Sequence, residues 1–330
     1  MPANLTPQYY EAEEAFKKAK TKEEKIAALE EMLAVIPKHK GTDKLQANLR
    51  KKLSQIKKQD ESKGGNVQDD PYLIEKQGAG QAVLLGFPNT GKSSIIKSLT
   101  NAKVKVANYP FTTNLPEPAM MPYEDIKIQL VDTPPLTRDG IPGPFMTTIL
   151  NAELLLLVID LSSDKCIDQL QDLLELFKER RIIRDKVPEG VRAFSSEKYH
   201  ILATKSDVEG SKENLKIINE LMPGIDEILP LSAEKGDNLD KFKEMLFNKL
   251  NIIRIYTKAP GKDPDLEKPF TLKKGATVYD FAQKIHRDIA KNLKKARVWG
   301  SARFDGQSVA KDYLLEDGDI VELHENNRGD

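Results

Sequence analysis

Apolar and polar positions divide the chain into three stretches of different period. From 8 to 36, Tyr10, Phe16, Ile26, Leu29, Met32, Leu33 and Ile36 recur at largely helical spacing among dense charge. This predicts helices with a break near 21–23, where Thr21 is placed to cap the second one. A further helix is predicted over 43–59, capped by Thr42 or Asp43, with Leu45, Leu49, Leu53 and Ile56 on one stripe. Between 72 and 251 the period changes, and short aliphatic runs alternate with helical patterns. Strands are predicted at 81–86, around 104–107, and at 126–131, 154–160, 199–203 and 226–231; helices at 92–100, 141–151, 166–181, 211–222 and 239–250. That alternation predicts a doubly wound α/β sheet whose functional groups sit at the C-terminal ends of its strands. Beyond 252, IIRIYTK, KPFTLKKGATVYDFAQKIHRDIAKNL, KKARVWG and LLEDGDIVELHE read as strand, then strand–turn–helix, then strand, then closing turn and strand. Mixed strands crossed by one helix give a small β-grasp-like α+β module. The expected organisation is a helical hairpin over 1–62, a linker over 63–75, an α/β domain over 76–251, the small module over 252–326 and a tail over 327–330.

Composition narrows the function classes. Lys plus Arg equals Asp plus Glu at 51 each, so no global charge announces a nucleic-acid or membrane partner. Local imbalance does exist. Asp43 is the single acid between 38 and 58, against Lys38, Lys40, Lys44, Arg50, Lys51, Lys52, Lys57 and Lys58. From 268 to 303, ten basic residues face only Asp280 and Asp288. Each run reads either as a solvated face or as a phosphate-contacting surface. Trp299 and Phe304 lie near the second run; stacking on an unpaired base is one reading of Trp299, and its place at a strand end favours a core position. One cysteine, Cys166, excludes an internal disulfide framework and a cysteine zinc cluster, and suits a reducing cytosol, hence a cytoplasmic location. The four histidines lack ligand spacing. The N-terminus has no signal-peptide character, and the longest aliphatic run, Leu154 to Ile159, is far shorter than a bilayer span of about 20 residues. No membrane partner is expected.

The chemistry concentrates in QAVLLGFPNTGKS, 81–93. Gly86, Gly91, Lys92 and Ser93 fit G-x-x-x-x-G-K-[ST], with a strand before and a helix after, as the pattern requires. The loop Gly86, Phe87, Pro88, Asn89, Thr90, Gly91, Lys92, Ser93 and Ser94 is therefore a candidate phosphate cradle. Its backbone amides form the anion nest, Lys92 adds a point charge near the β- and γ-phosphates, and the Ser93 hydroxyl can ligate Mg2+. Asp132, at the end of a buried strand in LVDTPPL, is placed to hold Mg2+ through water. Between these segments, ANYPFTTNLP at 107–116 carries Thr112 and Thr113; a threonine that completes the metal shell only when the γ-phosphate is present makes this loop a candidate switch. LATKSD ends in Asp207, which can accept from the N1–H and N2–H2 edge of guanine while the Lys205 stem lies along the ring. In LSAEKG the backbone around Ser232 and Ala233, followed by Glu234, is placed to meet the guanine oxygen.

Taken in order, GFPNTGKS, NYPFTT, DTPPL, TKSD and SAE resemble the motifs of the Obg-like translational GTPases. IRIYTKAPG, TVYDFAQKIH, ARVWG and LEDGDIVEL resemble the TGS domain that ends the developmentally regulated GTP-binding proteins, whose N-terminal helical segment the first 62 residues also resemble. The two motif sets cover about three quarters of the chain. The resemblance implies a P-loop GTPase domain followed by a TGS domain, binding GTP or GDP with Mg2+. It also implies slow hydrolysis of GTP to GDP and phosphate, a nucleotide switch that binds the ribosome or structured RNA, and a regulatory protein partner. A nucleotide-stabilised adaptor with little turnover is the alternative. Ser93, Thr113 and Asp132 become the Mg2+ set, with Thr112 as the alternative to Thr113, and Thr204, Lys205 and Asp207 the base set.

The chain departs from the family pattern at several places. Pro135 occupies the glycine position of D-x-P-G and lacks the N–H that would donate to the γ-phosphate. Leu136 stands where Ras-like proteins carry the water-orienting glutamine, which matches the apolar substitution of the Obg-like group, and cannot orient water. Asn89 matches the asparagine that helps hold K+ in potassium-activated GTPases; a turn asparagine capping its own loop is an equal reading. Thr204 replaces the more frequent asparagine of N-K-x-D. An inserted subdomain found in developmentally regulated GTP-binding proteins after the strand at 154–160 is replaced here by a helix and a short loop.

Overall fold

The structure, a computed structural model, describes residues 5–19, 22–37, 42–58, 70–100, 115–138, 140–188, 190–225 and 228–325. The strand expected around 104–107 and the candidate switch residues Thr112 and Thr113 lie outside the described residues, as do Thr21 and most of the linker.

Three helices open the chain: α1 (Pro7–Lys18), α2 (Lys22–Val35) and α3 (Asp43–Lys58). The expected break thus separates α1 from α2, and the helical segment comprises these two helices plus the basic arm α3. Thr6 caps α1, its hydroxyl oxygen accepting from the Tyr9 amide at 3.3 Å. Tyr9, Ala12, Leu29, Met32, Ile36 and Leu49 form a small core of their own, with Leu45, Leu53 and Ile56 packed against it.

The central sheet contains β1 (Gln81–Leu85), β2 (Glu117–Tyr123), β3 (Ile126–Asp132), β4 (Leu154–Asp160), β5 (Tyr199–Thr204) and β6 (Ile228–Pro230), in the order β2-β3-β1-β4-β5-β6. All neighbours run parallel except β2, which pairs antiparallel with β3 from Glu117↔Asp132 to Tyr123↔Ile126. This edge strand was not expected. Pro118 and Pro122 break its apolar pattern, and an edge position is where a strand tolerates proline. Helices α4 (Lys92–Leu99), α5 (Phe145–Asn151), α6 (Cys166–Glu179), α7 (Ser211–Leu221) and α8 (Leu239–Lys249) cover the two faces. Residues of β1 and β4 alternate between the two resulting cores, Leu155 and Leu157 on one side and Leu154 and Leu156 on the other. That double burial explains why β4 reads as an unbroken aliphatic run. The α5 helix begins later than expected, because the Pro142-Gly143-Pro144 run delays its first turn.

The C-terminal unit contains β7 (Ile252–Lys258), β8 (Pro264–Lys273), α9 (Val278–Ile285), α10 (Arg287–Asn292), β9 (Leu293–Trp299), β10 (Gln307–Val309) and β11 (Ile320–Glu325), with sheet order β10-β9-β11-β7-β8. The expected single helix is split at His286, whose backbone is extended. A capping box starts α9, Thr277 and Asp280 each accepting the other's backbone amide. Phe281, Val278, Ala296 and Val298 lead the core here. Trp299 is not part of it. The ring is half-buried, with the Lys258 ammonium 4.9 Å from its centroid and Gly306 packed against it, so neither a core position nor a free stacking platform describes it.

Ion pairs join the units, among them two clusters and the Lys273–Glu153 pair at 3.3 Å. Arg184 forks onto the buried carboxylate of Glu31 on α2 at 2.6 and 2.8 Å, with Arg181 beside it; these cations hold Glu31 below its usual range against the upward push of burial. Arg254 on β7 reaches Glu124 and Asp125 in the β2–β3 turn, and Tyr256 donates to Asp125 at 2.5 Å. No helix among the described residues is long and apolar enough to cross a membrane.

Candidate functional site

The loop between β1 and α4 is built around close approaches. A Cβ on Gly86 would come within 2.5 Å of the Val158 carbonyl oxygen, and Gly91 has φ +85°, so both positions require glycine. Thr90 folds inward and donates to the Phe87 carbonyl at 3.0 Å, while Pro88 and Asn89 stand exposed, Asn89 with φ 62°. Lys92 is buried. Its ammonium donates to the carbonyls of Gly86 and Phe87 at 3.0 and 3.1 Å, and burial lowers its pKa to about 8, partly opposed by the charge of Asp132. Ser93 and Ser94 lie exposed in the first turn of α4, at the positive end of the helix.

Asp132 ends β3 directly across from α4. Ser93 Oγ donates to its Oδ2 at 2.5 Å. The other oxygen, Oδ1, is buried and has no hydrogen-bond partner among the described residues. An unpartnered buried carboxylate oxygen beside a hydroxyl is a donor set of the hard-oxygen type that suits Mg2+. Four residues further on, Leu136 turns its side chain wholly into the core, and its N–H donates to the Gly86 carbonyl at 3.0 Å. Pro135 is exposed at the bend between them.

The base side forms at the ends of β4, β5 and β6. The Thr204 hydroxyl lies 2.8 Å from the Thr90 carbonyl and 3.0 Å from that of Ile159, tying the base side to the phosphate loop. Lys205 has φ 57° and pairs with Asp160 at 2.5 Å. Asp207 is exposed and opens onto a cavity of about 700 Å³ shared with Lys235 and Asp237. Ser232 is buried; its N–H already donates to the Asp237 carbonyl at 3.1 Å, and its hydroxyl accepts from the Lys235 amide. Glu234 is exposed. The described residues of the expected site therefore gather at the C-terminal ends of the parallel strands. Asp160, the aspartate that closes the aliphatic run of β4, adds a carboxylate that the motif order does not single out.

A family model described as 50S ribosome-binding GTPase matches residues 81–187, and one for the TGS domain matches 253–325. An uncharacterized GTP-binding protein of Methanocaldococcus jannaschii is 31% identical, with 91% of this chain and 92% of that protein covered. The chain belongs to the Obg-like GTP-binding proteins that carry a TGS domain. Developmentally-regulated G-protein 1 of Arabidopsis thaliana is 29% identical to this Obg-like protein over 91% of the chain and 90% of its own length. The alignment to the archaeal protein runs over 364 positions while covering 91% of a 330-residue chain, so the relative carries segments this Obg-like protein lacks. Among solved structures, the YchF GTPase of Schizosaccharomyces pombe superposes with TM-score 0.52 at 16% identity, covering 76% of this chain and 99% of that one. A GTP-binding protein of Pyrococcus horikoshii OT3 gives 0.50 at 17%, covering 74% and 100%. These two show the fold.

Proposed function

We propose that this Obg-like protein is a slow GTPase that uses Mg2+ and acts as a nucleotide switch on the ribosome or structured RNA. The end of β3 carries this reading: among the described residues Asp132 keeps one buried oxygen without a partner beside Ser93, while Leu136 is sealed into the core four residues later. Lys92 turns from the Gly86 and Phe87 carbonyls to the β- and γ-phosphates, and the amides of the loop and of the first turn of α4 bind their oxygens. Ser93 and Asp132 would hold Mg2+, which would supply neutralisation of phosphate charge, with Thr113 or Thr112 as the further ligand expected in the GTP state. Asp207 accepts from the guanine edge. The Ala233 amide meets the guanine oxygen, since the Ser232 amide is spent on Asp237.

Hydrolysis breaks the bond between the γ-phosphorus and its bridging oxygen by in-line attack of water. Nothing at position 136 orients that water or supplies charge to the transition state, so a partner provides both: RNA or a regulatory protein. Exposed Lys44, Arg50, Lys51 and Lys52 on α3, and Lys295 and Arg297 on β9, support phosphate contact by the terminal units. Co-sedimentation with ribosomal particles at two salt concentrations tests this. Binding is expected with a non-hydrolysable GTP analogue, weaker with GDP and weaker in salt; equal absence of binding in both states rejects the ribosomal switch.

A second reading has its own observation. Pro135 has no N–H and the Leu136 N–H is bonded to Gly86, so neither backbone donor is free to sense the γ-phosphate. This favours an adaptor that keeps its nucleotide with little turnover. Rates in K+ and Na+ decide. Activation by K+ marks a working site that uses Asn89, and a flat near-zero rate in both salts marks the adaptor.

A further inference from the structure

We propose that Asp160 is a positioning residue of the nucleotide site, holding Lys205 so that its methylene stem forms one wall of the base slot. The inference deepens the guanine reading above and rests on it. Asp160 closes β4 and pairs in register with Thr204, one residue before Lys205. Its carboxylate is largely out of water and carries two divided tasks. Oδ1 accepts from the Ser162 amide at 2.9 Å and the Ser162 hydroxyl at 2.6 Å, which fixes the carboxylate's rotation. Oδ2, left facing β5, accepts from the Lys205 ammonium at 2.5 Å.

Lys205 needs this. Its backbone is in the left-handed region, φ 57°, and its carbonyl is held by the Ser211 hydroxyl at 2.8 Å, so the residue's base is fixed while its side chain is 39% exposed. An exposed lysine stem loses rotamer freedom when it lies along a ring, an entropic cost met on binding unless the stem is already held. Anchoring the ammonium at Asp160 meets that cost in the folded protein before the nucleotide arrives. The contact is with the plane of the base, whereas Asp207 faces its edge, so the two carboxylates contribute to different parts of recognition: Asp160 to affinity for any base of that shape, Asp207 to the choice of guanine.

Fluorescence titration and dissociation rates of GDP and inosine diphosphate, which lacks the 2-amino group, separate these roles in the full-length protein. Asp160→Asn is expected to weaken both nucleotides by the same factor, about tenfold. Lys205→Met, which keeps the stem and removes the ammonium, should give a similar loss, and the double variant no further loss. Ser162→Ala, a milder change, should weaken both about two- to threefold. The proposal is overturned if Asp160→Asn binds GDP as wild type does, or if it weakens binding as much in the Lys205→Met background as alone. Should Asp160→Asn not fold, an unchanged affinity in Ser162→Ala together with Lys205→Met overturns it equally. Failure of the guanine reading looks different: wild type would bind GDP and inosine diphosphate equally, while the Asp160–Lys205 cycle is still read from GDP alone.

Discussion

Arg254 is one point at which the C-terminal unit grips the GTPase sheet, and replacing it with methionine tests how firm that grip is. Its guanidinium touches Glu124 and Asp125 of the β2–β3 turn and Asp317 of its own unit at 2.7 Å, and lies 5.1 Å above the Phe247 ring. The three acceptors, Asp317 foremost, hold it firmly protonated despite burial. The arginine side chain is 15% exposed, Asp125 22% and Asp317 32%, whereas Glu124 is 56% exposed and contributes little. Removing one partner from a buried pair costs about 3–5 kcal/mol, and exposure here discounts that to about 2 kcal/mol. Trp299, the chain's one tryptophan, sits in the C-terminal unit and reports its unfolding by fluorescence. With a urea dependence of about 1 kcal/mol per molar for a unit of this size, the Trp299 transition should fall by about 2 M in Arg254→Met. Asp125→Asn, a change in the other unit, should lower the same transition by a smaller amount. A Trp299 midpoint that moves less than about 0.5 M in Arg254→Met, or not at all in Asp125→Asn, refutes the grip.

Three further outcomes follow from the site. Lys92 has its pKa lowered to about 8 by burial, and phosphate oxygens favour its charged form, so GDP binding should take up a proton above that pH and none near pH 7. At about pH 8.5 roughly three-quarters of a proton is expected, seen by calorimetry in two buffers of different ionisation enthalpy; identical heats reject the linkage. Leu136→Gln should not raise GTP turnover, because the side chain points into the core, and should lower the unfolding midpoint by burying an amide without partners, at about 2 kcal/mol or more; a faster enzyme would show that residue 136 reaches the nucleotide. Asp207→Asn should abolish the preference for GTP over ATP in competition binding, and unchanged discrimination would remove Asp207 from base choice.

Most of the sheet is legible in the chain because its strands are buried on both sides. The strand–loop–helix around Lys92 combines a hydrophobic run with a chemical signal, and the structure packs its loop against β4. What escaped has a physical cause in each case. The β2 strand has two prolines and pairs only along one side, so neither propensity nor alternation announces it. Trp299 was misplaced in the core because a strand end fixes a residue's position and not what packs on its ring. Leu136 could be read as unable to orient water, but that its amide is also consumed depends on a bond to Gly86, fifty residues away in the chain. Asp160 was hidden by the same apolar run that made β4 obvious. Pairing across strands carries that information, and a single sequence does not print it.

The Thr204 hydroxyl has the last consequence. It bolts the strand that presents the base reader to the carbonyl of Thr90 in the phosphate loop, with Gly91 packed against it. On the function proposed above, the base and the phosphates of a bound nucleotide are held by two segments tied to each other, so a partner that displaces one segment is expected to disturb the other.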